Sequence, residues 1–370
     1  MALSGDIEIA ADREAGLAHP RDTARLYGHQ DAEQRLALSY RNGAMPTAWL
    51  IGGPKGVGKA TLAYRFARVL LAGEPLAAPE GASPLDMPPG HSVSRLVAAQ
   101  AHPGLLVLKR PFDDKGERLR KSITVDEVRR IHAHFGLSGA ARGFRVCIVD
   151  VADDLNEEGA NALLKTLEEP PPRAVFIVLA HAPMRLLATI RSRCRRLMLK
   201  PLGHDDVAAI LSAHAPQLSD ADRNLVAALS GGIPGRALML ANDGLELYRD
   251  TLRLLADLPR TDWDELHEFA GRLAPAKADQ DYAIARDLFG GVMRRLVHFG
   301  ARYDGVAVPG EDAVLGRLST RASLECWLDV WEKIKVLEAR ADALSLDRKQ
   351  VVLSKFTALA RVASGADSGL

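Results

Sequence analysis

Gly53-Pro-Lys-Gly-Val-Gly-Lys59 is the stretch on which the reading of the fold turns. A short apolar run, Ala48–Ile51, leads into it. Behind it Leu62, Phe66, Val69 and Leu70 recur at helical spacing from Lys59 to Ala72, until Gly73 and Pro75 stop the pattern. Strand, glycine turn and helix in that order are the context a phosphate-binding loop requires. The glycines let backbone N–H groups converge on phosphate, the helix N-terminus favours anions, and the lysine reaches the β and γ oxygens. Gly53, Gly56, Gly58 and Lys59 are therefore candidate nucleotide-binding residues. The next position breaks the pattern. A Ser or Thr hydroxyl belongs there to hold Mg²⁺, and the chain has Ala60. Thr61 follows, but one residue along a helix is about 100° of rotation, so its hydroxyl is aimed elsewhere. It stays in the candidate set of a degenerate site.

Outward from the loop, the first 200 residues alternate strand-like and helix-like segments. Leu105–Leu108, Val146–Val149 and Val175–Leu179 are further aliphatic runs. Thr124-Val-Asp-Glu127 reads as a capping box opening a helix to Gly136, and a second helix runs from Asn156 to Glu168 before three prolines. Continuous aliphatic strands between helices imply a parallel sheet covered on both faces. Gly73–Gly90, rich in Pro, Gly and Ala, reads as a long loop. Beyond Pro201 the strand signals vanish. A small helical stretch holds the turn Gly231-Gly-Ile-Pro-Gly235, and from about 246 every stripe is helical: Leu247, Leu252 and Leu255; Trp263, Leu266, Phe269 and Leu273; Leu288, Val292, Leu296 and Phe299; Trp327, Trp331 and Ile334; Val352, Phe356 and Leu359.

Bulk composition narrows the function classes. With 48 basic against 47 acidic residues the net charge is +1, which argues against a protein that coats nucleic acid by charge alone. The N-terminal MALSGDIEIAADREAG has no apolar core of a secretory signal, and no apolar run approaches the roughly 18 residues needed to span a bilayer, so a cytoplasmic protein is expected. Three cysteines, Cys147, Cys194 and Cys326, form no CxxC pair; reduced thiols and no metal are expected.

Two further segments carry chemistry. Arg145-Val-Cys-Ile-Val-Asp150 is a hydrophobic strand ending in an acid, the Walker B form whose Asp helps hold Mg²⁺. Val151 stands where a hydrolase of this class places its water-orienting Glu, and Asp153 is too far along to replace it. A structural Asp capping a turn is the other reading of Asp150. The last segment is Thr189-Ile-Arg-Ser-Arg-Cys194. On spacing alone Arg191, Arg193, Arg195 and Arg196 are a solvated basic edge.

Taken with Asn161-Ala-Leu-Leu-Lys-Thr-Leu-Glu-Glu-Pro-Pro171, however, Ser192-Arg193-Cys194 resembles the SRC motif of the clamp-loader branch of AAA+ proteins. The resemblance implies that Arg193 is an arginine finger, crossing a subunit interface to the γ-phosphate of ATP bound next door, a role suited to a planar and permanent charge. Ser230-Gly-Gly-Ile-Pro-Gly-Arg236 resembles the family's sensor-2 segment, which implies that Arg236 faces the nucleotide from a lid. The degraded nucleotide motifs beside an intact SRC, with Leu26-Tyr-Gly-His29 and Leu346-Asp-Arg-Lys-Gln-Val-Val-Leu353, are similar to delta-prime subunits of bacterial DNA polymerase III clamp loaders.

That likeness implies an AAA+ α/β domain over 1–200, a helical lid over 201–243 and an all-α collar for oligomerisation over 244–370. It implies a non-hydrolysing, stator-like part of a DNA-directed DNA polymerase holoenzyme, a nucleotidyltransferase complex active in DNA replication. Its partners would be motor ATPase and delta-type subunits in a hetero-oligomeric ring, with the sliding clamp and primed DNA reached through the assembly. No cofactor is required, which leaves room for weakly bound ATP or ADP at Lys59. Many family members carry a four-cysteine zinc module where Gly73–Gly90 stands here without a cysteine, so no zinc is expected. The alternatives are an ATP-hydrolysing clamp-loader motor or other AAA+ remodelling ATPase, which Ala60 and Val151 oppose, and a phosphate-loop small-molecule kinase, which the SRC segment and the helical tail oppose.

Overall fold

The computed structural model describes residues 17–23, 25–73, 83–88, 90–113, 119–137, 143–301 and 308–369. They divide into two compact units, one reaching to Val207 and including Gly232–Gly235, the other made of Ala208–Gly231 and the chain from Arg236 onward. Most of 201–243 thus groups with the helical C-terminal part.

The first unit is built on five parallel strands: β1 (Ala48–Gly52), β2 (Leu105–Leu108), β3 (Arg145–Val149), β4 (Ala174–Ala180) and β5 (Arg195–Met198), in the order β2-β3-β4-β1-β5. Helices α1 (Gln30–Arg41), α2 (Lys59–Ala72), α3 (Ser92–Ala98), α4 (Val125–Leu137), α5 (Glu157–Glu168) and α6 (Ala188–Arg193) connect and cover them. Successive strand side chains point to opposite faces, so two cores form. Trp49, Ile51, Val146, Ile148, Ile177 and Leu179 face α1 and α2, meeting Leu36, Leu62, Phe66 and Leu70. Leu50, Cys147, Val149, Phe176 and Val178 face the other way, against Val128 and Ile131 of α4, Leu163 of α5 and Ile190 of α6. This is the doubly covered parallel sheet that the AAA+ fold class requires.

Local signals account for the boundaries. Asn156 caps α5, its side chain accepting from the Gly159 N–H at 2.8 Å. At the other end Pro170 disfavours a helical Glu169, so α5 stops at Glu168. Residues 74–82 and 89 of the Gly73–Gly90 loop lie outside the described residues. The returning end of that loop is gripped by Arg65 of α2, whose guanidinium is 2% exposed and binds Ser83 at 3.0 Å, Asp86 at 2.7 Å and Glu33 of α1 at 2.8 Å.

The second unit is helical, and α7 (His204–His214) and α9 (Pro234–Met239) straddle its boundary with the first. They are accompanied by α8 (Asp220–Ser230), α10 (Leu245–Asp257), α11 (Trp263–Leu273), α12 (Asp279–Gly300), α13 (Asp312–Ser319), α14 (Leu324–Leu344) and α15 (Arg348–Ala363). Phe356 of α15 meets Phe269 of α11 and Phe289 of α12 edge-on, with centroids 6.4 and 5.7 Å apart. Leu288, Val292, Leu296, Trp327, Ile334 and Leu359 are buried as their spacing predicts. Trp263 and Phe299 are 49% and 42% exposed, because each lies in an end turn of its helix. The Leu346–Leu353 segment has a local role: Asp347 caps α15 by accepting from the Gln350 N–H at 2.9 Å. Among the described residues no helix is long and apolar enough to cross a membrane.

Phe66 is fully buried between α2 and the sheet. Phe66→Ala should lower stability by about 3–5 kcal/mol, read as a drop in the urea midpoint of the first unit; an unchanged midpoint would contradict this packing.

Candidate functional site

The loop between β1 and α2 is closed on a buried cation. Lys59 begins α2 and is 5% exposed. Its ammonium donates to the carbonyls of Gly53 and Pro54, each at 2.8 Å, and to His181 Nδ1 at 2.8 Å. Two glycines are needed for that geometry. Gly58, the residue before α2, has φ +109, and a Cβ at Gly53, with φ +150, would stand 2.5 Å from the Leu199 carbonyl. The outer side of the loop is braced as well. His29 Nε2–H donates to the Val57 carbonyl at 2.9 Å, Leu26 lies against Gly58, and the Gly235 N–H donates to the Gly56 carbonyl at 3.0 Å. The Leu26–His29 segment and the Gly231–Gly235 turn, noted in the sequence as family features, thus support the phosphate loop directly.

His181 was not evident from the sequence. It directly follows β4, which lies between β1 and β3 in the sheet, so it stands between Lys59 and Asp150. A polar residue ending the strand between the two motif strands is the signal that could have found it. Asp153 fixes it, one carboxylate oxygen accepting from the His181 N–H at 2.6 Å and the other from the Ala182 N–H at 2.9 Å. Burial and then the Lys59 charge hold the His181 imidazole below its usual range, with Asp153 opposing, so the neutral ring offers Nδ1 as acceptor.

The remaining predicted residues are placed as follows. Ala60 packs on the apolar cluster beneath the loop, and Thr61 is half-buried in the first turn of α2. Asp150 follows β3, its N–H donating to the Leu108 carbonyl at 2.8 Å. It lies two strand spacings from β1, about 10 Å. Val151 is 9% exposed and belongs to the same apolar cluster as Val57 and Ala63. Where a hydrolase needs a hydroxyl and a carboxylate, the chain has two packed apolar side chains. Arg236 falls in the second unit, where it pairs with Asp287 at 2.8 Å; burial lowers its pKa and Asp287 opposes that. Among the described residues no three His, Cys, Asp or Glu are grouped to hold a metal ion.

The arginine segment forms α6 and the edge strand β5. Ile190, Cys194 and Leu197 point inward, and burial pushes the Cys194 thiol up to about 11. The arginines point outward and do different things. Arg191 donates to the Met184 carbonyl at 2.9 Å, and the Arg195 guanidinium lies over the Trp49 ring at 5.2 Å. Arg193 is exposed, donates to the Thr189 carbonyl at 3.1 Å and forms an ion pair with Glu168 at the end of α5.

Three histidines, His29, His102 and His181, are held by burial below the ordinary value of 6.5. Below pH 6.5 the unfolded chain takes up protons that the folded chain refuses, so this contribution is full above that pH and is lost as pH falls toward the depressed folded values. The urea midpoint should therefore fall between about pH 7.5 and about pH 5.5, and His181→Asn should flatten part of that fall. An identical slope in the variant would show that His181 does not titrate in this way.

A family model described as "DNA polymerase III, delta subunit" matches residues 28–203. The chain is 33% identical over 305 residues to DNA polymerase III subunit delta' of Escherichia coli K12, covering 80% of this chain and 84% of that one. It is 36% identical over 206 residues to the subunit of the same name from Pseudomonas aeruginosa, covering 55% and 58%. To DNA polymerase III subunit gamma/tau of Mycobacterium tuberculosis it is 29% identical over 237 residues, covering 63% and 38%. With a first unit that keeps the phosphate loop, the acid strand and the arginine segment on one sheet, and a relative matched over most of both lengths, the chain belongs to the delta-prime family of DNA polymerase III subunits.

Proposed function

We propose that this chain is a non-hydrolysing, stator-like member of a clamp-loading assembly, and that it supplies Arg193 to the ATP of a neighbouring motor subunit. The observation that carries the proposal is the contrast between its two candidate sites. At the phosphate loop the hydroxyl and the acid needed for Mg²⁺ and water are replaced by Ala60 and by Val151, packed in the core. At the SRC segment the guanidinium is exposed. An arginine of this kind acts by placing fixed positive charge where the transferring phosphoryl group spreads negative charge over its oxygens. The partners on this reading are motor and delta-type subunits in a ring, and through them the sliding clamp and primed DNA. Lys59 and the loop glycines remain able to hold ATP or ADP weakly, but to bind phosphate the ammonium must exchange its contacts to Gly53, Pro54 and His181.

The purified chain alone should not turn over ATP; a rate of about 1 s⁻¹ or more, ordinary for a working enzyme, would sink the stator reading.

Arg193→Ala should leave the chain folded and able to assemble, yet slow hydrolysis at the site it serves. Arginines supplied in trans are worth about 10³–10⁵ in rate. One of several motor sites is affected, so total DNA-stimulated ATPase should fall in part and clamp loading further. Gel filtration of the reconstituted assembly, with both activities measured on the assembled fraction, checks this. Wild-type values for both would refute the role.

A further inference from the structure

The LEEPP run, Leu167 to Pro171, precedes the arginine segment and lies outside the phosphate loop, yet its Glu168 meets Arg193. We infer that Glu168 is the positioning residue of Arg193: its carboxylate sets the direction in which the guanidinium is presented to a neighbouring phosphate. The inference rests on the trans-arginine reading of the preceding subsection.

The placement of Glu168 is dictated locally. Pro170 forces Glu169 out of the helical region, so Glu168 is the last residue of α5, anchored by Leu163 and Leu167 in the core beneath it. Helix α6 is anchored by Ile190, which is 1% exposed and shares that core. Two packed helix ends therefore bring a carboxylate and a guanidinium together from positions 25 residues apart in sequence.

The contact is specific in geometry. Arg193 Nη2 pairs with Glu168 Oε1, and Arg193 Nη1 donates to the Thr189 carbonyl at 3.1 Å, on its own helix. A guanidinium held at two of its nitrogens has a fixed plane. Arginine carries five N–H donors. Among the described residues these two contacts use two of them and leave three to meet a phosphate. Both side chains are about two-fifths exposed, 37% and 42%, so the pair stands at the surface where a partner can reach it. A long, rotamer-rich side chain without the carboxylate would sample many directions, and positioning of this kind enters the rate through the transition state.

The test uses the reconstituted assembly with its motor subunits, measuring kcat and KM for ATP in DNA-stimulated hydrolysis. An exposed ion pair of this class sets the scale, so Glu168→Ala should lower the Arg193-dependent part of kcat by about two- to fivefold, with KM little changed. Glu168→Gln keeps an oxygen acceptor in nearly the same shape and should recover most of the loss. In an Arg193→Ala background Glu168→Ala should cost nothing more, because there is no guanidinium left to aim. An equal loss in that background would make Glu168 a structural residue and overturn the inference. So would an unchanged or faster kcat for Glu168→Ala while Arg193→Ala is slow. If Arg193→Ala is itself without effect, the trans-arginine reading fails and the inference falls with it, a result distinct from the first two. Should Glu168→Ala fail to assemble, the near-isosteric Glu168→Gln, read with Arg193 present and in the Arg193→Ala background, decides: a small loss seen only where Arg193 is present supports the positioning role, and an unchanged kcat or an equal loss in both backgrounds overturns it.

Discussion

A buried ammonium must have acceptors, and the first unit is arranged round that requirement at Lys59. Its charge is almost wholly removed from water, so three acceptors must converge on it or the cost would be several kcal/mol. Two are carbonyls of its own loop, turned inward by a backbone at Gly53 that only glycine adopts freely. The third comes from His181 at the end of β4, held in turn by Asp153 from the turn after β3. One cation therefore ties together the carboxyl ends of β1, β3 and β4. His29 and Gly235 fasten the outside of the same loop. The loop is in this way a structural fastening, held shut by its glycines and its lysine through the contacts that close it.

The same arrangement explains why Ala60 and Val151 are tolerated. Neither position lies among the contacts that close the loop. Ala60, the second residue of α2, packs against an apolar cluster, and Val151 adds its side chain to the same cluster, which already holds Val57 and Ala63. With apolar side chains at both positions the loop keeps its closing contacts, and Val151 adds to the apolar burial beside it. On the proposed reading the fastening stays, the chemistry passes to a neighbour, and this chain keeps the surface group that the neighbour uses.

Most of the first unit was legible because its signals are dense and local. Four aliphatic runs became β1 to β4 within a residue or so, and the helix from Lys59 ended where Gly73 predicted. The fifth strand was not legible. Arg195-Arg196-Leu197-Met198 offers one inward side chain, Leu197, and the two arginines read as a charged surface; what makes it a strand is pairing with β1, a contact nearly 150 residues distant in sequence that no local pattern encodes. His181 was hidden for the same reason. Its role comes from strand order, which puts β4 between β1 and β3 and is set by pairing in the sheet, so the polar residue ending β4 means something only once that order is known. In the helical unit the stripes predicted most of the buried faces in mid-helix, with Leu252 and Trp331 only half-buried, and failed at Trp263 and Phe299, where the end of a helix leaves one side of the stripe without a neighbour.

The arginine segment shows why spacing alone could not decide its meaning. Four cations within six residues would read as a solvated edge, and three of them have local accounts or none: Arg191 satisfies a carbonyl, Arg195 covers Trp49, and Arg196 is simply exposed. What separates Arg193 is the company of a carboxylate delivered from another helix. An isolated exposed cation gains little from such a pair, since surface ion pairs contribute at most about 1 kcal/mol. The pair is therefore a poor stabilising device, and holding a long side chain in one direction is the better use of it. The inward residues serve the same end. Ile190, Cys194 and Leu197 fix α6 and β5 to the core on one side, so that the outward arginine moves with a rigid support. On the proposed reading this arginine acts on another molecule's phosphate, which needs exposure and precision together, and exposed side chains have precision only when something rigid beside them supplies it.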